Sequence, residues 1–147
     1  MRCNFELSPR PSIWQGRGVI SITTKSPYAV AALTELARTP GQPIPVGEIA
    51  RRREIPAQFL EQLVATLRRG GVLRSQRGVK GGYTLARPAD QITVLEVVEL
   101  LDGPLASEGD DVFADSAAAA RTVLAATTVA DCLAREQEAA GGPMYYI

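Results

Sequence analysis

The sequence predicts a mainly α-helical (α+β) protein, a winged helix-turn-helix domain followed by a C-terminal dimerisation helix. Three observations carry that expectation. Apolar residues recur at helical spacing through residues 26–69 and are interrupted twice by short proline-containing turns. The period then shortens to that of strands on either side of Gly78-Val79-Lys80-Gly81-Gly82, the mark of a hairpin. Beyond the hairpin, alanine-dense segments have high helix propensity but few large apolar side chains, so they suit close pairing with a second copy.

Residues 1–19 show no periodicity and read as an N-terminal tail outside the working fold, with Val19 standing where a bacterial start would fit. The first helix is expected from Ser26, placed to cap, with Pro27 in the first turn and Val30, Leu33, Leu36 and Ala37 along one face. Thr39-Pro40-Gly41 ends it. A short second helix over about 45–53 turns Val46, Ile49 and Ala50 inward and Arg51, Arg52 and Arg53 outward. Glu54-Ile55-Pro56 makes a tight turn, and a third helix from Pro56 to about Arg69 carries Phe59, Leu60, Leu63, Val64 and Leu67 as its apolar residues. Two short helices joined by a short turn form a helix-turn-helix, in which the first helix braces the second in the major groove of DNA.

Strands are expected at 72–77 and 83–86. A phosphate-binding reading of the glycine-rich loop between them is weak, since it lacks Gly-Lys-Ser/Thr and no helix follows it directly. Thr93 and Glu96 have capping-box spacing and open a helix through Leu101 that stops at Asp102-Gly103-Pro104. The acidic stretch 105–113 reads as a loop, 114–126 as a helix, and Thr128 with Asp131 as the cap of a last helix to about Glu138. The expected organisation is therefore a tail (1–19), a winged-helix DNA-binding domain (20–104), an acidic loop (105–113), dimerisation helices (114–138) and a C-terminal tail (139–147).

Composition bounds the function. In 147 residues, 46% are hydrophobic and 22% charged, ordinary values for a globular chain with no apolar run of membrane-spanning length. The first residues lack the features of a secretory signal, and a reducing cytoplasm is expected. There is no histidine, and the two cysteines, Cys3 and Cys132, are too few for a disulfide framework or a thiolate metal site. With no nucleophile–base pair and no carboxylate constellation, neither an enzyme nor a metal site is indicated. The formal net charge is zero, but it is segregated. Residues 44–87 carry nine Lys/Arg against three acids, a balance of +6, whereas residues 88–147 carry two Arg against eleven acids, a balance of −9. That asymmetry places a phosphate-attracting surface on the helix-turn-helix half.

Four segments together resemble one family: Thr24-Lys25-Ser26-Pro27-Tyr28-Ala29-Val30, Phe59-Leu60-Glu61-Gln62-Leu63, Arg77-Gly78-Val79-Lys80-Gly81-Gly82-Tyr83-Thr84-Leu85-Ala86 and Ile92-Thr93-Val94-Leu95-Glu96-Val97-Val98. In this order they resemble the Rrf-two family of IscR-, NsrR- and CymR-type bacterial repressors, over about residues 20–104. The resemblance implies a homodimer on a pseudo-palindromic operator. It implies a DNA-binding set of Lys25, Gln58, Phe59, Glu61, Gln62, Arg77, Lys80, Gly81 and Gly82, with the first part of the recognition helix reading bases and the wing meeting the backbone. The residue chemistry agrees: glutamine suits adenine edges, glutamate suits cytosine N4, and arginine or lysine suits guanine or phosphate. For Phe59, a core anchor and a thymine-methyl contact remain open. A local pair of Glu61 with Arg68 or Arg69 is disfavoured by the two-turn spacing.

The chain departs from the iron–sulfur members of that family. Where they carry three closely spaced cysteines, it has Ser107, Glu108, Asp110, Asp111, Asp115 and Ser116, so no cofactor is expected. Pro45 and Pro56 stand where relatives have capping serines. The resemblance is nearest the cluster-free CymR-like branch, which implies a role in cysteine metabolism. The terminal Tyr145-Tyr146-Ile147 resembles the isoleucine-ended tail by which serine acetyltransferase docks in O-acetylserine sulfhydrylase (cysteine synthase), while a tail packed on its own dimer is the alternative. Two other functions stay open at this point: a redox repressor sensing through the Cys132 thiol, set against a buried structural thiol, and a protein-interaction module without DNA binding.

Overall fold

The computed structural model describes residues 21–107 and 109–141. Helices α1 (Lys25–Arg38), α2 (Val46–Arg53) and α3 (Ala57–Arg69) are followed by strands β1 (Leu73–Gln76) and β2 (Gly82–Leu85), then by α4 (Val94–Asp102), α5 (Val112–Ala126) and α6 (Val129–Gly141). The apolar stripes anticipated on α1, α2 and α3 converge. Leu33, Leu36, Ile49, Leu60, Leu63, Val64 and Leu67 are buried in one core with Val72, Ile92, Val97 and Val129. Each such side chain contributes roughly 1.5–3 kcal/mol by leaving water. A smaller cluster of Val94, Val98 and Leu105 lies beside it, against Ala120, Leu124 and Cys132.

The helix ends follow local chemistry. At the end of α3, Val72 N–H donates to the Leu67 carbonyl at 3.0 Å while Gly71 adopts φ +77°, a left-handed stop that glycine takes without a Cβ penalty. Thr93 Oγ1 accepts from Glu96 N–H at 3.2 Å, so that half of the capping box forms; the Glu96 carboxylate turns away to pair with Arg87. Thr128 and Asp131 make both bonds of their box, at 3.1 and 2.9 Å.

Two expectations change. Ser26 does not cap α1, which starts one residue earlier at Lys25 with Thr24 at its N-cap position. The Ser26 hydroxyl instead donates to Asp102 Oδ2 at 2.6 Å, and Thr23 donates to the same carboxylate through N–H (3.1 Å) and Oγ1 (2.5 Å). Three donors converging on one carboxylate outweigh a cap. Helix α5 begins at Val112, inside the stretch read as loop, because Asp111 Oδ1 accepts from the N–H groups of Phe113 and Ala114. An acid that caps is hard to tell from an acid in a loop.

Helix α6, expected among the dimerisation helices, also has partners within its own chain. It packs on its own α1, with Val129 buried in the main core. Its first turn is laced to the start of α4: Val129 N–H donates to the Ile92 carbonyl (2.9 Å) and Val94 N–H to the Thr127 carbonyl (2.8 Å). Helix α5 differs. It buries Ala117 alone and leaves Val112, Phe113 and Val123 exposed at 66, 59 and 62%. None of the described helices is long and apolar enough to cross a membrane.

The Asp102 cluster makes a pH test. Burial raises its pKa, but the hydroxyls of Ser26 and Thr23 and the Thr23 N–H outweigh burial and hold it below its ordinary 3.8. A carboxyl depressed in the folded state contributes stability above its unfolded pKa and loses it as pH falls through the folded one. Asp102→Asn should therefore cost about 1–3 kcal/mol in urea unfolding at pH 7. The gap from wild type should narrow as the pH is taken below 3.8; a gap independent of pH would show that the ionised carboxylate is not the stabilising group.

Candidate nucleic-acid interface

The helix-turn-helix corner rests on an unusual backbone. Glu54, which ends α2, has φ 54° and ψ 41°, and among the described residues it alone of the non-glycines has a positive φ. Ile55 N–H closes the corner on the Ala50 carbonyl at 2.9 Å and the Ile55 side chain is buried. Burying Ile55 and satisfying that carbonyl offset the roughly 1–2 kcal/mol cost of a left-handed side-chain residue.

From this corner α3 presents one polar stripe. Gln58, Glu61, Gln62, Arg68 and Arg69 are exposed, while Leu60, Leu63, Val64 and Leu67 anchor the other face. Phe59 is half-buried, with its ring edge-on to Tyr28 of α1 at 5.7 Å between centroids. Its aromatic packing favours the anchoring role over a thymine contact. No side chain caps α2 or α3, whose N-cap residues are Pro45 and Pro56. Lys25 is exposed at the first residue of α1.

The wing is a hairpin with register Leu73↔Leu85 to Gln76↔Gly82. Arg77, Val79 and Lys80 are exposed at its tip, where Gly81 N–H turns back to the Gly78 carbonyl at 2.9 Å. Gly81 and Gly82 are half-buried, and a Cβ at either would crowd backbone. Gly82 has φ +156°, and a Cβ there would stand 2.4 Å from the Ile44 carbonyl carbon. Ile44 and Tyr83 exchange N–H···O bonds of 3.1 and 2.9 Å, which straps the wing to the segment entering α2. Wing and helix-turn-helix therefore present one surface.

Charge within that surface is redistributed from what the sequence suggested. Arg51 and Arg52 both grip Glu48, whose carboxyl their hydrogen bonds pull down to about 2. Arg53, expected to point outward, turns inward to Glu35 and Glu136. Among the described residues no ion pair engages Arg68, Arg69, Arg74, Arg77 or Lys80. Phosphate attraction is therefore concentrated at the C-terminal end of α3 and in the wing. Sequence reasoning missed Glu35 and Glu136, because Glu35 stands opposite the Leu33 stripe at helical spacing and is buried only where α2 and α6 cover the end of α1.

Cys132 is half-buried against the smaller apolar cluster, and burial pushes its thiol pKa up. Oxidation proceeds through the thiolate, so this setting gives a redox role no support. Tyr145, Tyr146 and Ile147 lie outside the described residues, as do Glu108, Cys3 and the tail to residue 20.

The profile of the Rrf2 family, described as "Iron-dependent Transcriptional regulator", matches residues 22–135. A Synechocystis helix-turn-helix regulator, slr0846, is 44% identical over 96 residues, and the match takes in 63% of this chain and 65% of that protein. The structure of CymR (YrzC), the global cysteine regulator of B. subtilis, superposes with TM-score 0.73 at 31% identity over 79% of this chain and 98% of that one. IscR of T. potens does so with TM-score 0.73 at 34% identity over 86% and 95%. The chain has no histidine, no cysteine lies between α4 and α5, and among the described residues no group of three or more His, Cys, Asp or Glu is placed to hold a metal.

The two halves of the surface are separable. Arg77→Ala or Lys80→Ala should weaken binding to every duplex and lower the salt slope by about 1 each. Gln58→Ala or Glu61→Ala should instead alter base preference by about 1–3 kcal/mol per lost contact. Wild-type affinity in all four variants across a salt titration would place the DNA surface elsewhere.

Proposed function

The chain belongs to the Rrf2 family of helix-turn-helix transcriptional regulators, and from that premise we propose that it is a homodimeric, cytoplasmic repressor that works without an iron–sulfur cluster. The polar stripe of α3 beside an unpaired basic wing carries the DNA-binding part of this reading. Gln58, Glu61 and Gln62 read base edges, and Arg77 and Lys80 meet phosphates. Lys25 adds a backbone contact from the start of α1. The missing thiolates support cluster-free operation, so the protein's signal is something other than assembly of a cluster.

The dimer reading rests on α5. Val112, Ser116, Ala119, Val123 and Ala126 recur at four- and three-residue intervals and are all exposed. This is a stripe of small and apolar side chains along which a second α5 can approach closely. Paired copies would set two recognition helices on one face of a pseudo-palindromic operator. Val123→Asp should yield a monomer by sedimentation equilibrium and reduce affinity for the protein's own promoter by about 10²-fold, the avidity lost with the second half-site. A dimer of unchanged mass would remove α5 from the interface.

The regulated process is proposed to be cysteine supply. Likeness to CymR, the cysteine regulator, supports this, together with a C-terminal sequence suited to docking in O-acetylserine sulfhydrylase. A free carboxylate beside an isoleucine side chain matches a pocket built of backbone donors and apolar walls. In calorimetry, a peptide ending Met-Tyr-Tyr-Ile should bind that enzyme and be displaced by O-acetylserine. Deleting Ile147 or adding one glycine after it should abolish the heat. Equal heat from the extended peptide would refute carboxylate capture.

A further inference from the structure

An arginine in the last turn of the first helix of a helix-turn-helix is ordinarily counted toward phosphate binding. Arg53 holds that place, yet its side chain is 17% exposed and is engaged by acids of α1 and α6. Its Nε donates to Glu35 Oε2 at 2.9 Å, and Nη1 and Nη2 donate to the two carboxylate oxygens of Glu136 at 2.9 and 3.0 Å. Nη2 also donates to Thr34 Oγ1 at 3.0 Å. Arg38 reaches Glu136 Oε2 at 2.8 Å, and Arg52 reaches Glu35 Oε1 at 3.1 Å. Thr34, Glu35 and Arg38 belong to α1, Arg52 and Arg53 to α2, and Glu136 to α6. The node therefore joins α2 to α6 across α1. A fork-to-carboxylate pair fixes direction as well as distance, which a lysine would not do.

Both ends of this link matter. The residue after Arg53 is the left-handed Glu54, a conformation that persists only where its neighbours enforce it, and α3 begins at Ala57. At the other end, α6 follows α5 after Thr127 and Thr128 alone. We infer that Glu136 is a positioning residue for DNA recognition: its two-pronged pair with Arg53 makes α6 a strut that holds the helix-turn-helix corner and ties the attitude of α3 to the α5–α6 junction. The inference rests on the helix-turn-helix reading above. It also accounts for why a cation in that corner is withheld from DNA.

Two substitutions separate the strut from its rivals. Glu136→Gln removes the charge at nearly constant volume, and Arg53→Lys keeps the charge but loses the fork. In the DNA-free protein, both should speed amide exchange selectively over residues 53–60 and leave α4 protected. Both should lower affinity for the promoter by about tenfold while affinity for random duplex and the salt slope stay at wild-type values, and the double variant should be no worse than either single one. Unchanged exchange at 53–60 would overturn the proposal. So would uniform loosening of every helix, which would make Glu136 general packing. Tighter, more salt-dependent binding by Glu136→Gln would also overturn it, since Arg53 would then be a phosphate ligand that Glu136 sequesters. A wild type with no preference for the promoter would refute sequence-specific binding, and the exchange result would still decide the strut.

Discussion

Glu35 lies within the buried face of α1, and an ionised carboxylate there is tolerable only if cations come to it. Arg52 and Arg53 do so from α2, and Arg38 lies 3.6 Å away one turn along α1. That gathering leaves more cation than Glu35 can neutralise, and Glu136 supplies the second acid from α6. One buried acid thus recruits charge from three helices and determines how they sit together. It also settles electrostatics at a distance: three of the nine cations in residues 44–87 are engaged by acids around α2, so the outward field is carried by α3 and the wing.

The wing and the recognition helix form one body because backbone meets backbone. The exchange of hydrogen bonds between Ile44 and Tyr83 brings a third segment against the hairpin, and Gly82 leaves no side chain between them. Contacts of this kind do not depend on side-chain rotamers or on ionic strength. Both reading elements therefore keep one relative placement before any nucleic acid arrives, which spares the binding step the cost of ordering them.

What the sequence disclosed, it disclosed through periodicity and punctuation. The core residues of α1 to α3, the end of α3 near Arg69, the hairpin and the Thr128–Asp131 box all follow from local rules, and their positions agree to within a residue or two. The errors share a cause. Ser26, Arg53, Glu96 and Asp111 are polar residues whose local environment offers two uses, and the choice between them is made by a partner distant in sequence or by a neighbouring helix end. Ser26 is claimed by Asp102, Arg53 by Glu35 and Glu136, Glu96 by Arg87. The exposed stripe on α3 was legible because its spacing alone defines it. The close approach of backbone at Gly82 was not, because Ile44 lies far upstream.

The lacing of Thr93 to Thr128 has a geometric consequence. It fastens the junction leaving α5 to the start of α4, and the Asp102 cluster fastens the end of α4 to the chain just ahead of α1. In the proposed dimer joined through α5, each reading head would then be an arm with little swivel at its root. The distance between the two heads becomes a fixed gauge. A spacer longer by one base pair moves the second half-site by roughly 3.4 Å and rotates it around the duplex axis by about a tenth of a turn. Arms with little swivel would follow that rotation poorly, so the DNA itself would have to twist. On the proposed function, half-site spacing would then be read alongside base identity, by parts of the protein away from the DNA surface.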